Sequence, residues 1–305
     1  MIKRTIEVSS GPTYRTAKLE QLILQRGGEI VGSIPCEDIG VVVVDQPQTT
    51  YTHAALAALA RWQAVLVVCG SDHLPAAMLL PLADHSQVVW RMKEQLAVRR
   101  PLRKQLWRQL IRAKIRAQAL MLPQETPARL KLLALSRMVR SGDPNNIESQ
   151  AARVYWANWL PERTFRRDVD LPDLNMFLNY GYAVLRAAVA RAVVAAGLLP
   201  ALGLVHSNRS NAFCLADDLM EPLRPLVDRR VRELHAESRH ELDRREKAFL
   251  LEILTEQVRL GGENGPLMVS LHRMVASLVK CFQGQAKKLE IPRPCFSADT
   301  DVCGW

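Results

Sequence analysis

One stretch of the sequence, residues 204–225, carries an imidazole, three carboxylates and two guanidiniums. Such groups can bind a divalent metal ion and a phosphate. Asp217, Asp218 and Glu221 are three and four residues apart, and at that spacing side chains share one face of a helix. Like charges on one face repel each other unless a cation or an arginine lies between them. A bound divalent ion is therefore a motivated hypothesis.

The same stretch predicts a short buried helix around these carboxylates. Apolar residues recur through it at Phe213, Leu215, Leu219 and Met220. Pro222 lacks the amide that would bond to the carbonyl of Asp218. We therefore expect the helix to kink or restart at Pro222.

The charge balance of the chain indicates a polyanionic partner. The 305 residues include 41 Lys or Arg and 31 Asp or Glu, so the net charge is 41 − 31 = +10, and the isoelectric point is about 9.6. Nucleic acid is the first candidate and an anionic membrane the second. With 48% apolar residues the chain can bury a sizeable core and form two domains.

Positive charge is concentrated between residues 91 and 116, where ten Lys or Arg residues accompany one acid, Glu94. Arg108, Arg112 and Arg116 recur four apart along one side of a predicted helix. Like charges at this spacing destabilise an isolated helix, and a merely solvated face usually mixes both signs. We predict contact with a phosphate backbone here, with a solvated helix face as the alternative.

Cysteine usage and the amino terminus indicate a reducing, cytoplasmic compartment. The six cysteines form no CxxC pair, and no secretory leader is recognisable. The longest apolar run, residues 183–205, contains Arg186 and Arg191, so a membrane span would bury two guanidiniums. We expect no membrane association.

The secondary-structure pattern changes near residue 84. Short β-like runs at 22–24, 29–31, 41–44 and 65–68, with one helix at 52–62, predict a β-rich domain over residues 1–84. Helix-forming sequence then dominates. We assign 85–100 as a linker, 101–286 as a helical domain and 287–305 as a flexible tail.

Glu148 stands in the first turn of a helix predicted at 147–157, after a turn at 141–146. Taken alone, a carboxylate there is a favourable partner of the helix dipole. Arg153, Tyr155 and Trp156 follow it and supply phosphate-binding and stacking groups.

A set of motifs, specific in its order and spacing, resembles the CRISPR-associated spacer-acquisition integrases, and most closely those of type II systems. The motifs are Glu148, Ala151-Ala152-Arg153, Tyr155-Trp156, Leu178-Asn179-Tyr180-Gly181-Tyr182, His206 and Leu215-Ala216-Asp217-Asp218-Leu219-Met220-Glu221-Pro222-Leu223-Arg224-Pro225. The resemblance spans nearly all of the chain. It implies an α+β fold, a small N-terminal β-sandwich domain followed by a larger all-α catalytic domain.

The resemblance also implies a metal site for Mg²⁺ or Mn²⁺ formed by Glu148, His206 and Glu221, with Asp218 and Arg224 close by. Some relatives carry an aspartate as the third ligand, so Asp217 and Asp218 leave that assignment open. His206 could instead be an ordinary core histidine. In relatives a tyrosine can stand where this chain has Phe165, which offers no hydroxyl.

The implied reaction is transesterification, in which the 3′ hydroxyl of a short DNA fragment attacks a phosphodiester at the edge of a CRISPR repeat. The implied partners are double-stranded and branched DNA, a second copy of the chain in a homodimer, and a small ferredoxin-like companion protein. The candidate DNA-binding residues are Arg103, Lys104, Arg108, Arg112, Arg116, Arg153, Arg166, Arg167 and Arg209.

Two alternatives remain open. A structure-selective repair nuclease would use the same ligands on branched DNA without a repeat or a companion. A non-catalytic DNA-binding scaffold would use Glu148 and Glu221 only as helix-terminal charges and would bury His206 in its core.

Overall fold

The computed structural model describes residues 3–9, 13–81, 85–162 and 165–295. Within the first two ranges the chain forms short strands, a 3₁₀ turn at Cys36–Asp38 and one α-helix, α1 (His53–Arg61). The strands are β1 (Arg4–Val8), β2 (Tyr14–Lys18), β3 (Gln21–Arg26), β4 (Glu29–Pro35), β5 (Ile39–Val44), β6 (Thr50–Tyr51), β7 (Val65–Cys69) and β8 (Pro75–Leu79).

Strand β5 lies inside the first sheet, whose order is β1-β5-β7-β8, and all six of its residues are buried. β1 and β7 flank it in parallel. Its alternate residues enter different cores: Val41 and Val43 join the core of the helical domain, whereas Val42 and Val44 join the core of the N-terminal domain. A strand covered on both faces needs a continuous apolar run, which this valine-rich segment supplies.

The second sheet, of order β4-β3-β2-β6, closes the N-terminal domain. Leu22 on β3 meets Val42 of the first sheet and Leu59 of α1 in one small apolar core. The N-terminal domain is thus two sheets and a helix around a shared core.

The rest of the described chain is mainly helical. Its helices are α2 (Val88–Ala97), α3 (Arg100–Met121), α4 (Pro127–Met138), α5 (Ile147–Trp156), α6 (Leu174–Ala195), α7 (Cys214–Met220), α8 (Arg224–Ala236), α9 (Arg244–Leu251) and α10 (Leu267–Phe282). A small antiparallel sheet joins β9 (Gln257–Leu260) to β10 (Glu263–Pro266) and β11 (Arg293–Pro294). The predicted α+β architecture, strands first and helices after, is confirmed.

Helices α3 and α6 organise the helical domain. The 22-residue α6 is buried along most of its length and packs against α7, α8 and α10. The basic helix α3 packs against α4, α5 and α8. Each helix in the described ranges is too short or too polar to span a bilayer.

A buried ion pair joins the two domains. The ammonium of Lys247 on α9 bonds to the carboxylate of Asp45, which follows β5, and the side chains are 5% and 3% exposed. His73 adds a contact of 3.0 Å from Nδ1 to the same carboxylate. This packing holds the N-terminal sheet against the helical domain.

Two segments differ from the pattern expected from sequence. Helix α2 lies within residues 85–100, where we expected a linker. Residues 287–295 pack against the body instead of extending as a flexible tail, since Leu289 is 2% exposed and β11 pairs with β9. The reason is that Leu289 is apolar and is buried against the body, and that β11 pairs with the edge of β9 opposite β10. Residues 296–305 of the expected tail lie outside the described residues.

Candidate active site

Glu148 is placed by the loop that precedes α5. The carboxylate of Asp143 accepts hydrogen bonds of 2.9 Å from the amides of both Ile147 and Glu148. Amides in the first turn of a helix have no partner within the helix, so this carboxylate caps α5. Asp143 and Asn146 both adopt positive φ, which these residue types tolerate better than most others. The loop thus determines where α5 begins and how Glu148 is presented.

Glu221 lies where α7 ends. Residues Glu221–Leu223 form a single 3₁₀ turn, and α8 begins at Arg224. The restart expected at Pro222 is therefore confirmed. The side chain of Glu221 is 6% exposed, and Arg224 Nε donates a hydrogen bond of 2.9 Å to its Oε1.

A lysine from α3 lies between the two glutamates. Lys114 Nζ is 2.6 Å from Glu148 Oε1 and 2.5 Å from Glu221 Oε2, and the lysine side chain is 12% exposed. Burial lowers the pKa of Lys114, but Glu221 and Glu148 raise it more, so its pKa is above the usual value. Two carboxylates from distant parts of the chain therefore share one cation.

The charge of Glu221 is fixed by its neighbours. Burial by itself would raise the pKa of this carboxyl. Arg224 and Lys114 outweigh burial and hold the pKa at about 2. Glu221 is consequently ionised at neutral pH.

His206 is held in place by Asp218. His206 Nδ1 is 2.5 Å from Asp218 Oδ1, and Asp218 Oδ2 accepts bonds from the amides of Leu204 and Val205 at 2.5 and 3.1 Å. The ring also meets Trp107 edge-on, with 5.5 Å between ring centroids. The hydrogen bond that Asp218 accepts from the ring is the largest influence on His206 and raises its pKa against the effect of partial burial.

The loop before His206 requires a glycine. A Cβ at Gly203 would lie 2.4 Å from the carbonyl oxygen of His206 and 2.8 Å from Asp218 Oδ2. Real Cβ atoms do not approach other atoms so closely. Gly203 therefore permits the close turn that brings the imidazole to Asp218.

The three neighbouring carboxylates of the α7 region have separate partners. Asp217 accepts hydrogen bonds from Arg186 Nε at 2.6 Å and from Asn211 Nδ2 at 2.7 Å. Asp218 faces His206, and Glu221 faces Lys114. Their charges are thus balanced by cations and donors of the protein.

The donor chemistry of the site fits Mg²⁺ or Mn²⁺. Asp218 engages Nδ1 of His206, so Nε2 is the nitrogen with which the ring could bind a metal, and metal-ligating histidines are commonly oriented in this way. Glu148 and Glu221 already converge on one cation, the Lys114 ammonium. In the described ranges, however, no three His, Cys, Asp or Glu side chains are close enough to form a ready metal cluster.

A buried network lies behind Arg224. Both Tyr155 and Tyr182 donate hydrogen bonds to the carboxylate of Asp228, the first at 2.9 Å. The guanidinium of Arg224 stacks on the ring of Tyr182, 4.5 Å from its centroid. Burial raises the pKa of Asp228 to about 6 in spite of the two tyrosine donors. This network fixes the guanidinium that contacts Glu221.

Comparison with known proteins decides the family. The family model described as CRISPR associated protein Cas1 matches residues 8–257. The chain belongs to the Cas1 family. It is 38% identical, over 277 residues, to a CRISPR-associated endonuclease Cas1 of Neisseria meningitidis serogroup C, with 89% of this chain and 90% of that protein covered.

Solved structures show the same fold at low sequence identity. A casposase bound to integration product superimposes with a TM-score of 0.79 and 18% identity, covering 98% of this chain and 96% of the casposase. A Cas6-RT-Cas1–Cas2 complex gives a TM-score of 0.74 and 18% identity, covering 93% of this chain and 35% of that chain. The Cas1 fold thus extends over nearly the whole molecule.

The candidate DNA-binding residues of this Cas1-family chain fall on several elements. Arg103, Lys104, Arg108, Arg112 and Arg116 lie along α3, where Arg108 is exposed and Arg112 and Arg116 line a cleft of about 250 Å³ with Lys288 and Arg293. Arg153 on α5, Arg166 and Arg209 are also exposed.

Arg167 differs from those residues because its contacts are within the protein. It donates hydrogen bonds to Asn175 at 2.8 Å and Asn179 at 2.7 Å, and its guanidinium lies over Tyr182. Phe165 is also engaged internally, in an aromatic cluster with Trp156 and Trp159. Through these contacts the segment between α5 and α6, which carries Phe165 and Arg167, is held to both helices.

Lys114 is the site residue that the sequence analysis missed, because it was counted only within the basic run. A signal was present: Lys114 is seven residues after the buried Trp107 and four after the buried Leu110. These spacings place it on the inner face of α3. A lysine on the inner face of a helix needs carboxylate partners, and Glu148 and Glu221 supply them.

Proposed function

We propose that this chain is a metal-dependent DNA endonuclease and integrase that inserts short DNA fragments into a CRISPR repeat array. The 3′ hydroxyl of the fragment would attack a phosphodiester at the edge of a repeat. The observation that carries the proposal is the convergence of Glu148 and Glu221 on one cation, beside Arg224. The endonuclease name of the Neisseria relative and the integration product of the casposase support it.

Each residue of the site has a proposed role. Glu148, His206 and Glu221 would hold Mg²⁺ or Mn²⁺. When bound, such an ion stabilises negative charge on phosphate oxygens and on the attacking or leaving oxygen. Asp218 orients the imidazole, and Arg224 supplies a fixed positive charge beside the same carboxylates for the phosphate that reacts.

The basic surface suits the proposed substrates, double-stranded and branched DNA. Arg108 on α3 and Arg153 on α5 are exposed and would contact the phosphate backbone. We also propose a homodimer and a small ferredoxin-like companion; the solved Cas6-RT-Cas1–Cas2 complex supports a companion protein. The free cysteines among the described residues agree with a reducing cytoplasm.

Strand transfer tests the proposal. A short duplex with 3′ hydroxyl ends is incubated with a supercoiled plasmid carrying the repeat, with Mn²⁺ or Mg²⁺, with and without the companion protein. We expect joined product that requires metal and disappears in His206→Ala. His240→Ala, which changes an exposed histidine, is the matched control and should retain activity.

The same assay separates the alternatives. Cleavage of branched DNA without joining, with the companion present, would favour a repair nuclease. Salt-sensitive DNA binding with neither activity would leave only a DNA-binding scaffold and would refute the proposed chemistry.

A further inference from the structure

Lys114 lies between the two glutamates that would hold a divalent ion in the proposed site. Its ammonium contacts one oxygen of Glu148 and one of Glu221, at 2.6 and 2.5 Å. The other oxygen of Glu221 receives the guanidinium of Arg224 at 2.9 Å. Both oxygens of Glu221 therefore already face a cation.

A metal ion that binds Glu221 competes with these two cations for the carboxylate. Arg224 is confined, because its guanidinium is stacked on Tyr182 and bonded to Glu221. Lys114 has a flexible four-carbon stem and carries its charge at a single point. Lys114 is therefore the cation that can move.

Charge leads to the same conclusion. Two carboxylates, Glu148 and Glu221, are balanced by two protein cations, Lys114 and Arg224. Adding a divalent ion while both cations stayed would leave a net surplus of positive charge in a partly buried site. Withdrawing the ammonium removes one positive charge from direct contact with both ligands.

We propose that Lys114 is a positioning residue that serves as a built-in counter-ion: it holds Glu148 and Glu221 together in the metal-free protein and exchanges with the divalent ion on binding. This inference rests on the proposed metal site. Metal binding is then a replacement of one cation by another, and Lys114 weakens metal affinity while it preserves the shape of the site. It also limits metal binding to conditions in which a divalent ion outcompetes the ammonium.

Direct Mn²⁺ binding tests the exchange without reference to DNA processing. The full chain is titrated with Mn²⁺, and the electron paramagnetic resonance signal of free Mn²⁺ reports the unbound ion. Lys114→Met keeps most of the side-chain bulk and removes the charge. We expect its Kd for Mn²⁺ to fall by about tenfold, the change that about 1.4 kcal/mol produces.

Thermal unfolding provides a second measurement on the same samples. Without metal, Lys114→Met should unfold at a lower temperature than the wild type, because Glu148 and Glu221 repel each other. With Mn²⁺ its Tm should rise by more than that of the wild type, because ligand binding stabilises the folded state. Lys131→Met, an exposed lysine on α4, is the matched control and should match the wild type in both measurements.

The outcomes are distinguishable. Equal or weaker Mn²⁺ binding by Lys114→Met, in a folded protein, would overturn the exchange and identify the lysine as a clamp that metal binding needs. Lys114→Gln gives the same comparison if the methionine variant does not fold. If Glu148→Gln leaves wild-type Mn²⁺ binding unchanged, the proposed metal site itself fails, and the exchange fails with it.

Discussion

The imidazole of His206 and the carboxylate of Asp218 lie in direct contact, with 2.5 Å between Nδ1 and Oδ1. The same carboxylate accepts backbone amides from the loop before the histidine. Asp218 therefore acts on the ring and on the loop that carries it. Asp218 thus faces the imidazole, whereas Glu221 is the carboxylate that shares Lys114 with Glu148.

Asp218→Asn tests this orientation. Asparagine has a single acceptor oxygen and cannot replace both oxygens of the carboxylate, so the ring loses its fixed tautomer and strand transfer should fall by about 10- to 100-fold. The pKa of His206 should also fall, because the hydrogen bond that raises it is weakened. An NMR pH titration of the imidazole measures that shift. Asp72→Asn, in an exposed turn where Asp72 accepts the amide of Leu74, is the control; an unchanged His206 pKa in Asp218→Asn would contradict the prediction.

Gly203→Ala tests the close turn before His206. The added Cβ would meet the His206 carbonyl oxygen, which is backbone and cannot rotate away. We expect the loop to shift, strand transfer to fall at least tenfold and the free energy of unfolding to decrease by about 1–3 kcal/mol. Gly265→Ala is the matched control because its Cβ would have no neighbour within 4 Å. Wild-type activity in Gly203→Ala would show that the loop position is not needed.

The raised pKa of Asp228 predicts that the stability of the protein depends on pH. Its pKa is raised from 3.8 to about 6 in the folded protein. Between these values the folded state binds more protons than the unfolded chain, so this group makes stability decrease as pH rises. The contribution is on the order of 3 kcal/mol. Asp228→Asn removes it, and urea unfolding from pH 4 to pH 7 should show wild type losing stability relative to the variant. A constant difference would refute the raised pKa.

Lys247→Met tests the contact between the domains. It removes the ammonium from the buried Asp45 carboxylate, which keeps its contact with His73, and this should cost about 3–5 kcal/mol of unfolding free energy. Urea unfolding measures the loss. The double variant Asp45→Asn with Lys247→Met removes both charges and should recover much of the stability. If the single and double variants are equally stable, the pair does not hold the domains.

Arg108→Gln tests the basic face of α3. Removal of one phosphate contact should weaken duplex binding and reduce the slope of log affinity against log salt by about 0.9. Fluorescence anisotropy with a labelled duplex at several salt concentrations gives the slope. Arg245→Gln, an exposed arginine on α9, is the control. An equal change in both variants would indicate a general charge effect without a specific contact.

The sequence by itself determined the local elements. The valine run at 41–44 predicted β5 because β-branched residues favour strands. Helix α1 forms at His53–Arg61, within the helix predicted at 52–62. Pro222 predicted the break after α7 because proline lacks an amide. In each case the cause lies in residues that are close in sequence.

Only the tertiary structure decided the partners of the charged groups. Asp217, Asp218 and Glu221 were expected to share a face, yet they meet Arg186, His206 and Lys114 respectively. Which cation meets which carboxylate depends on how α3, α5, α6 and α7 pack, and no local periodicity encodes the distance between helices that are far apart in the chain. Lys114 reaches Glu148 and Glu221 because α3 packs against both α5 and the turn that follows α7.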